Sequence, residues 1–222
     1  MVDEYERRYG VMGAVLYPSR ALDTPCFDKC ADNDASIIRP FTLAFAGNLY
    51  IGDYIRQLVA LSRMLGKIGG KLLLFGPFDL TSLMACGINA DNVLYGGLIQ
   101  SAELVRRLRQ EADVLFLPES FEEAQAGTID LSFPSKLTDY TATALPILIW
   151  GPKISAAVMW ANSEPGVAAI VTEANENVMA AMLAKLASDQ EWRRSLGATA
   201  ADVGKRYFSP QRAQTVFYQA LC

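Results

Sequence analysis

From Phe41 onward the chain alternates between short apolar runs and longer stretches in which apolar residues recur every three or four positions. The runs are Thr42–Ala46, Lys71–Gly76, Asn92–Tyr95, Asp113–Pro118, Pro146–Trp150 and Ala168–Thr172. They are too short for independent helices, and most are apolar at nearly every position, the mark of strands buried on both faces. Among the longer stretches, Ile55, Leu58, Val59 and Leu65 share one helical face, as do Leu104, Val105, Leu108 and Ala112. Met179, Met182, Leu183 and Leu186 follow the i, i+3, i+4, i+7 rule of a core-facing helix, and so do Ala213, Val216, Phe217 and Ala220. Strands alternating with helices imply right-handed crossovers and a parallel sheet. The pattern predicts an α/β fold: a Rossmann-like parallel six-stranded sheet with helices on both faces.

Residues 1–40 read differently. Tyr5 to Tyr9 look like the end of a helix and Ala14 to Tyr17 like a short strand. Pro18 to Pro40 is rich in Asp, Cys and Ser without a sustained period, which suits a linker or the remnant of a neighbouring domain. The expected division is therefore 1–40 as linker and 41–222 as one Rossmann-like unit.

Composition narrows the chemistry. A chain of 222 residues, 51% hydrophobic and 20% charged, builds one ordinary core. The net charge is −4 with both signs interspersed, so no basic groove for nucleic acid is expected. No run approaches the ~18 apolar residues of a membrane span, so no integral membrane segment is expected. The opening MVDEYERRYG lacks the apolar centre of a signal peptide. There is no histidine, and only Cys26 and Cys30 are close among four cysteines, so no metal site is expected. The compartment reads as reducing and cytoplasmic. The lack of histidine also excludes Ser-His-Asp and Cys-His catalysis, leaving acid–base work to Asp, Glu, Lys, Tyr or Cys.

In such sheets ligands bind beyond the carboxyl ends of the strands. The residues there are Gly47-Asn48-Leu49, Gly76-Pro77, Gly97-Leu98-Ile99, Glu119-Ser120 and Gly151-Pro152, together with the helix expected to start at Phe133-Pro134-Ser135. No G-x-G-x-x-G follows the first strand and no G-x4-G-K-[ST] occurs, so the dinucleotide and P-loop readings fail. In the segment Phe133–Leu148, Pro134 suits a first helical turn, and Leu137, Tyr140 and Ala144 form a packing face. Lys136, Asp139 and Thr143 form another stripe. A positively polarised helix start carrying Lys136 suits a diphosphate, and Asp139, one turn on, suits vicinal ribose hydroxyls. Spacing alone favours the plainer alternative, an i, i+3 surface ion pair between Lys136 and Asp139 worth ~0.2–0.5 kcal/mol.

A family resemblance shifts that balance. Phe133–Leu148 is similar to the F-P-S-K-L-x-E-Y-L-A-x-G-x-P-I-L segment of GT-B glycosyltransferases of the large retaining group. Phe45-Ala46-Gly47-Asn48-Leu49 resembles that family's first strand and glycine loop, and Lys71–Gly76 its second strand. Val93–Ile99 with Glu103-Leu104 resembles V-x-F-x-G-x-V-x-x-x-E-L, and Asp113–Phe121 resembles its next strand and loop. Arg193-Arg194 through Phe208-Ser209 resembles the closing helix. The set runs in order over roughly residues 41–220.

The resemblance implies a donor-binding half of an enzyme that moves a hexose-type sugar from a nucleoside diphosphate, with retention, in polysaccharide synthesis. The donor would be a UDP- or GDP-sugar, with no other cofactor. Gly97, Leu98, Ile99 and Leu104 would hold the base, and Asp139 the ribose. Lys136 and the N–H groups of Ser135 and Leu137 would hold the diphosphate, with Gly47 and Asn48 beside the phosphates or sugar. Lys136 and Glu119 would carry the catalytic charges. The family's acid pair is spaced E-x7-E, whereas here 19 residues separate Glu119 from Asp139, with Glu122 and Glu123 as alternatives for the first acid. The glycine usual at the end of the Lys136 helix is replaced by Ala144. The acceptor, a glycan or lipid-linked sugar, would belong to a missing N-terminal domain. The chain alone is then expected to transfer little, and a bared docking face predicts self-association. The alternative is a non-catalytic Rossmann-like module used for assembly.

Overall fold

The computed structural model describes residues 2–11, 13–29, 39–49, 52–88 and 90–220. Six strands form one sheet: β1 (Thr42–Ala46), β2 (Lys71–Phe75), β3 (Val93–Gly97), β4 (Val114–Pro118), β5 (Ile147–Trp150) and β6 (Ala169–Val171). Their order is β3-β2-β1-β4-β5-β6, and every pairing is parallel. This is the doubly wound arrangement, in which the direction of winding reverses between β1 and β4. The helices are α1 (Val2–Tyr9), α2 (Gly52–Lys67), α3 (Leu80–Ala85), α4 (Ser101–Glu111), α5 (Ala126–Ile129), α6 (Lys136–Ala142), α7 (Ala156–Ser163), α8 (Glu176–Ser188), α9 (Gln190–Phe208) and α10 (Pro210–Gln219).

Alternate side chains of each strand enter two cores. Leu43 and Phe45 of β1 and Val114 and Phe116 of β4 pack with Leu58, Leu61 and Leu65 of α2 and with Met179, Leu183 and Leu186 of α8. Ala44, Ala46, Leu115 and Leu117 face the other way, toward Leu108 of α4, Leu137 and Tyr140 of α6, and Trp160 of α7. All five residues of β1 and of β4 are buried, which is why these strands read as unbroken apolar runs rather than as an alternation. Each large side chain removed from water contributes roughly 1.5–3 kcal/mol.

At the reversal the two central strands part. β1 and β4 pair only at Leu43↔Val114 and Ala44↔Leu115. Beyond that point the buried Tyr140 hydroxyl accepts from the Ala46 N–H (2.9 Å) and donates to the Phe116 carbonyl (3.1 Å). It satisfies backbone groups that the parting strands leave without each other, which a buried sheet requires. Burial pushes the Tyr140 phenol well up from its ordinary range, so it stays a donor.

Several sequence expectations need correction. Ala14–Tyr17 is not a strand. It has no regular secondary structure, and the Tyr17 ring meets Phe133, Tyr207 and Phe208 edge-on (centroids 4.8, 5.3 and 6.0 Å). Aromatic packing, not a ladder, fixes it. The following residues are also fastened to the sheet unit. The Arg20 N–H donates to the Phe208 carbonyl (3.0 Å) and the Phe27 N–H to the Ala142 carbonyl (2.9 Å), and the Arg109 guanidinium lies 4.2 Å from the Phe27 ring centroid. The third strand starts at Val93 and includes Gly97, which the sequence reading put in the loop. Regular turns of the Lys136 helix begin only at Lys136, after a tighter turn closed by the Leu137 N–H on the Pro134 carbonyl (3.2 Å). The apolar stripe of α10 meets no core. None of its residues is buried, and Phe217 is half exposed. Cys26 has a free thiol, whereas Cys30 lies outside the described residues. Among the described residues no helix is long and apolar enough to cross a membrane.

Candidate functional site

The parting of β1 and β4 opens a cleft of about 410 Å³ at the carboxyl edge of the sheet. Its walls include Gly47 and Asn48 after β1, Pro118 and Glu119 at the end of β4, Tyr54 of α2, and the run Ser132–Lys136 leading into α6. Five residues singled out for phosphate, sugar or catalysis, Gly47, Asn48, Glu119, Ser135 and Lys136, thus meet here, although they span 90 positions of sequence from 47 to 136.

The Lys136 side chain crosses directly over Gly47. A Cβ built on Gly47 would lie 2.1 Å from Lys136 Cε, and the backbone there has φ +141°, so glycine is required twice over. The ammonium sits 5.6 Å from the Phe45 ring centroid, its only described aromatic contact. Opposite, the Glu119 side chain passes Gly151 at the end of β5, where a Cβ would lie 2.2 Å from the Glu119 Cβ. Glu119 is buried, and neither its carboxyl nor the Lys136 ammonium has a hydrogen-bond or salt-bridge partner among the described residues. Burial pushes the Glu119 carboxyl up to about 7, against the opposing pull of Lys136. Burial likewise lowers Lys136, against the pull of Glu119. Tyr54 is raised to about 12, first by burial and then by Glu119 and Asp53. Two charges face one another without contact, and the Ser135 hydroxyl makes no capping bond to the helix that follows. An anion entering here would find a cation and free donors.

Glu119 is held from below. The Gln57 amide donates to the Glu119 carbonyl (2.8 Å). Asp53, also on α2, accepts from the Phe121 N–H (2.8 Å) and the Ser120 hydroxyl (3.1 Å). The other acid candidates are elsewhere: Glu122 is paired with Arg56, the cation nearest the first glycine loop in sequence, and Glu123 opens a short 3₁₀ turn.

Asp139 does not line this cleft. One turn along α6 it faces α4, where it accepts a hydrogen bond from the Ser101 hydroxyl (3.1 Å). Burial raises its carboxyl, while Ser101 and the charge of Arg20 pull it down. The surface ion pair with Lys136 that spacing favoured is not formed, because the two side chains point to different neighbours. Ser101 is two residues after Ile99, so the contact brings Asp139 to the loop Gly97-Leu98-Ile99. Leu98 is 74% exposed there, whereas Ile99 and Leu104 are half-buried against the second core. Leu137 is fully buried and its N–H is taken by Pro134, so it offers least to a ligand.

Tyr54, Gln57 and Asp53 were not anticipated from sequence, and Gly151 was placed at the end of its strand without its contact with Glu119. Each acts on a partner more than 30 residues away, and only the glycine following a strand left any sequence trace.

The fold and cleft define a doubly wound α/β unit whose opening lies at its topological switch point. Comparison with solved structures makes that more specific. The sucrose-phosphate synthase of Thermosynechococcus elongatus superposes with a TM-score of 0.70 at 17% identity, over 99% of this chain and 55% of that one. WaaG, a glycosyltransferase involved in lipopolysaccharide biosynthesis, gives 0.62 at 14%, over 99% and 59%. Anabaena HepE in complex with UDP-glucose gives 0.56 at 14%, over 82% and 49%. The chain shares the Rossmann-like fold of these GT-B glycosyltransferase structures and spans about half their length. No family model and no curated protein sequence matches it.

Proposed function

We propose that the chain binds a nucleoside diphosphate sugar at the carboxyl edge of its sheet and acts as the donor-holding unit of a glycosyltransferase. The observation that carries this reading is the Lys136 ammonium, threaded over Gly47 at the switch point and left without an ionic partner beside the cleft. The diphosphate sits against Lys136 and the free donors of Ser135. Asp139, one turn further along α6, accepts from the ribose hydroxyls, and the base rests on the Gly97–Ile99 loop near Leu104. Asn48 and Glu119 then face the sugar across the cleft.

Such a site lowers the barrier to transfer electrostatically. Negative charge grows on the leaving diphosphate, and a fixed ammonium in a partly dry cleft stabilises it more than water does. Glu119, held near neutrality, is able to share a proton or hydrogen bond with a sugar hydroxyl. The sugar is a hexose, transferred with retention in polysaccharide synthesis, and the acceptor glycan or lipid-linked sugar is held by a second unit such as the longer structural neighbours carry. The complexes of HepE with UDP and UDP-glucose support the choice of a UDP-sugar.

Calorimetric titration with UDP, GDP and ADP tests the proposal. Micromolar binding of one of them, lost in Lys136→Ala and Asp139→Ala, is expected. No binding of any of the three would overturn it.

A further inference from the structure

The segment before β1 contributes one side chain that reaches α6. Arg20 is buried, 6% exposed, and its guanidinium grips the middle of that helix: Nε donates to the Thr138 carbonyl (2.8 Å) and Nη2 to the Thr141 hydroxyl (2.7 Å). The remaining arm, Nη1, donates to Cys26 Sγ (3.3 Å). Among the described residues no carboxylate lies within salt-bridge distance of it. Its hydrogen bonds go to a carbonyl, a hydroxyl and a sulfur, while its charge also pulls on the nearby Asp139 carboxyl; burying a guanidinium without a salt bridge is costly, so packing alone is a poor account of it. The surroundings are cut to fit it. A Cβ on Gly204 of α9 would lie 2.3 Å from Nη2 and 2.4 Å from the Thr141 hydroxyl oxygen.

Thr138, whose carbonyl is gripped, directly precedes Asp139. The same turn of α6 carries Lys136 at its start. Arg20 holds one side of this turn and the Ser101 hydroxyl holds Asp139 on the other. A helix of seven residues, capped by Thr143 and followed by a left-handed Ala144, has little rigidity of its own. The angle between Lys136, aimed into the cleft, and Asp139, aimed at α4, therefore depends on what clamps the turn between them.

We propose that Arg20 is a positioning residue of the nucleotide site, fixing the α6 turn so that Asp139 meets the ribose while Lys136 meets the diphosphate. The inference rests on the nucleotide reading above and adds to it a residue from outside the sheet unit. Arg20 need not touch the ligand. It acts through Asp139, so its loss is felt on the nucleoside and not on the phosphates.

A double-mutant cycle tests this by titration with whichever of UDP, GDP or ADP the wild-type chain binds best, and with inorganic pyrophosphate. Arg20→Gln is expected to weaken the nucleotide about tenfold, the scale of one misplaced charged hydrogen bond, and pyrophosphate less than about twofold. In an Asp139→Asn background the same change is expected to add nothing further to the nucleotide loss. Gly204→Ala, whose added methyl meets both Nη2 of Arg20 and the Thr141 side chain that it grips, should likewise shift the α6 turn and weaken the nucleotide, and serves if Arg20→Gln does not fold. Arg20→Lys should recover part of the lost affinity. Equal losses for nucleotide and pyrophosphate, an undiminished effect in the Asp139→Asn background, or wild-type affinity in the Arg20→Gln and Gly204→Ala variants would overturn the inference alone. A wild-type chain that binds no nucleoside diphosphate overturns the functional reading as well.

Discussion

The two edges of the sheet each pair a cation with a carboxylate beside β1 and β4, and they do so with opposite results. At the amino edge, Arg39 meets Asp113 through two bonds of 2.7 and 3.0 Å, and Asp113 also accepts from the Thr42 N–H (2.8 Å). At the carboxyl edge, Lys136 and Glu119 face one another without contact, and burial drives both toward neutrality. The first arrangement is closed: every oxygen has a donor and the strand ends are tied together. The second leaves both groups without a bonding partner among the described residues, which is what the proposed donor site needs. On the proposed function, stability and binding are separated to the two ends of the same pair of strands. The difference follows from the crossover helices, which pull β1 and β4 apart only at the carboxyl edge.

Exchanging the variants at the two edges gives the largest contrast. Lys136→Ala is expected to weaken nucleoside diphosphate binding by about 100-fold, the scale of a lost charged contact, and to change the urea midpoint little, since the ammonium makes no bond in the free chain. Arg39→Ala should do the reverse, lowering stability by about 2 kcal/mol with nucleotide affinity intact. A loss of binding in Arg39→Ala, or of folding in Lys136→Ala, would erase the distinction.

The pH dependence sharpens the contrast next. The Glu119 carboxyl is raised from 4.5 to about 7 on folding, so the folded state binds the proton more tightly than the unfolded state. Its contribution to stability is fully present below pH 4.5 and is lost as pH rises toward 7. Urea unfolding at pH 5 and pH 8 should therefore show the wild-type chain losing about 2 kcal/mol more than Glu119→Gln over that interval. Equal losses in the two proteins would mean that Glu119 is ordinarily ionised.

Tyr140→Phe probes the parting itself. It leaves the Ala46 N–H and the Phe116 carbonyl without their shared hydroxyl, at an expected cost of about 1–3 kcal/mol in thermal or urea unfolding. The smallest effect is expected at the end of α6. Ala144 is the one described non-glycine residue with positive φ, at 56°. Ala144→Gly relieves a strain of about 1–2 kcal/mol but adds freedom to the unfolded chain, for a net gain of about 0.5 kcal/mol in calorimetric stability.

Ala144 also shows what kind of information the sequence holds. Its place in the resemblance, where a glycine is usual, marks it in the sequence, because left-handed backbone excludes most side chains locally. Lys136 and Asp139 were visible for a similar reason, as one short segment with a recognisable spacing. Their separate orientations were not visible, since i, i+3 spacing fits an ion pair equally well and only α4 and β1 decide between them. The amphipathic stripe of α10 misled for the converse reason: periodicity shows that a face is apolar, not that anything covers it.

What the amino-acid order settled by itself was local or periodic: six short strands, the amphipathic helices between them, glycines where the backbone must turn, and a lysine at the start of a short helix. These follow from steric and solvation rules that act over a few residues. The folded chain alone decided that Gly47 and Gly151 make room for Lys136 and Glu119, that Tyr54 joins them, and that Arg20 reaches α6 from more than 100 residues away. Such contacts depend on how packed layers bring distant segments together. No spacing rule along the chain encodes a distance through the core.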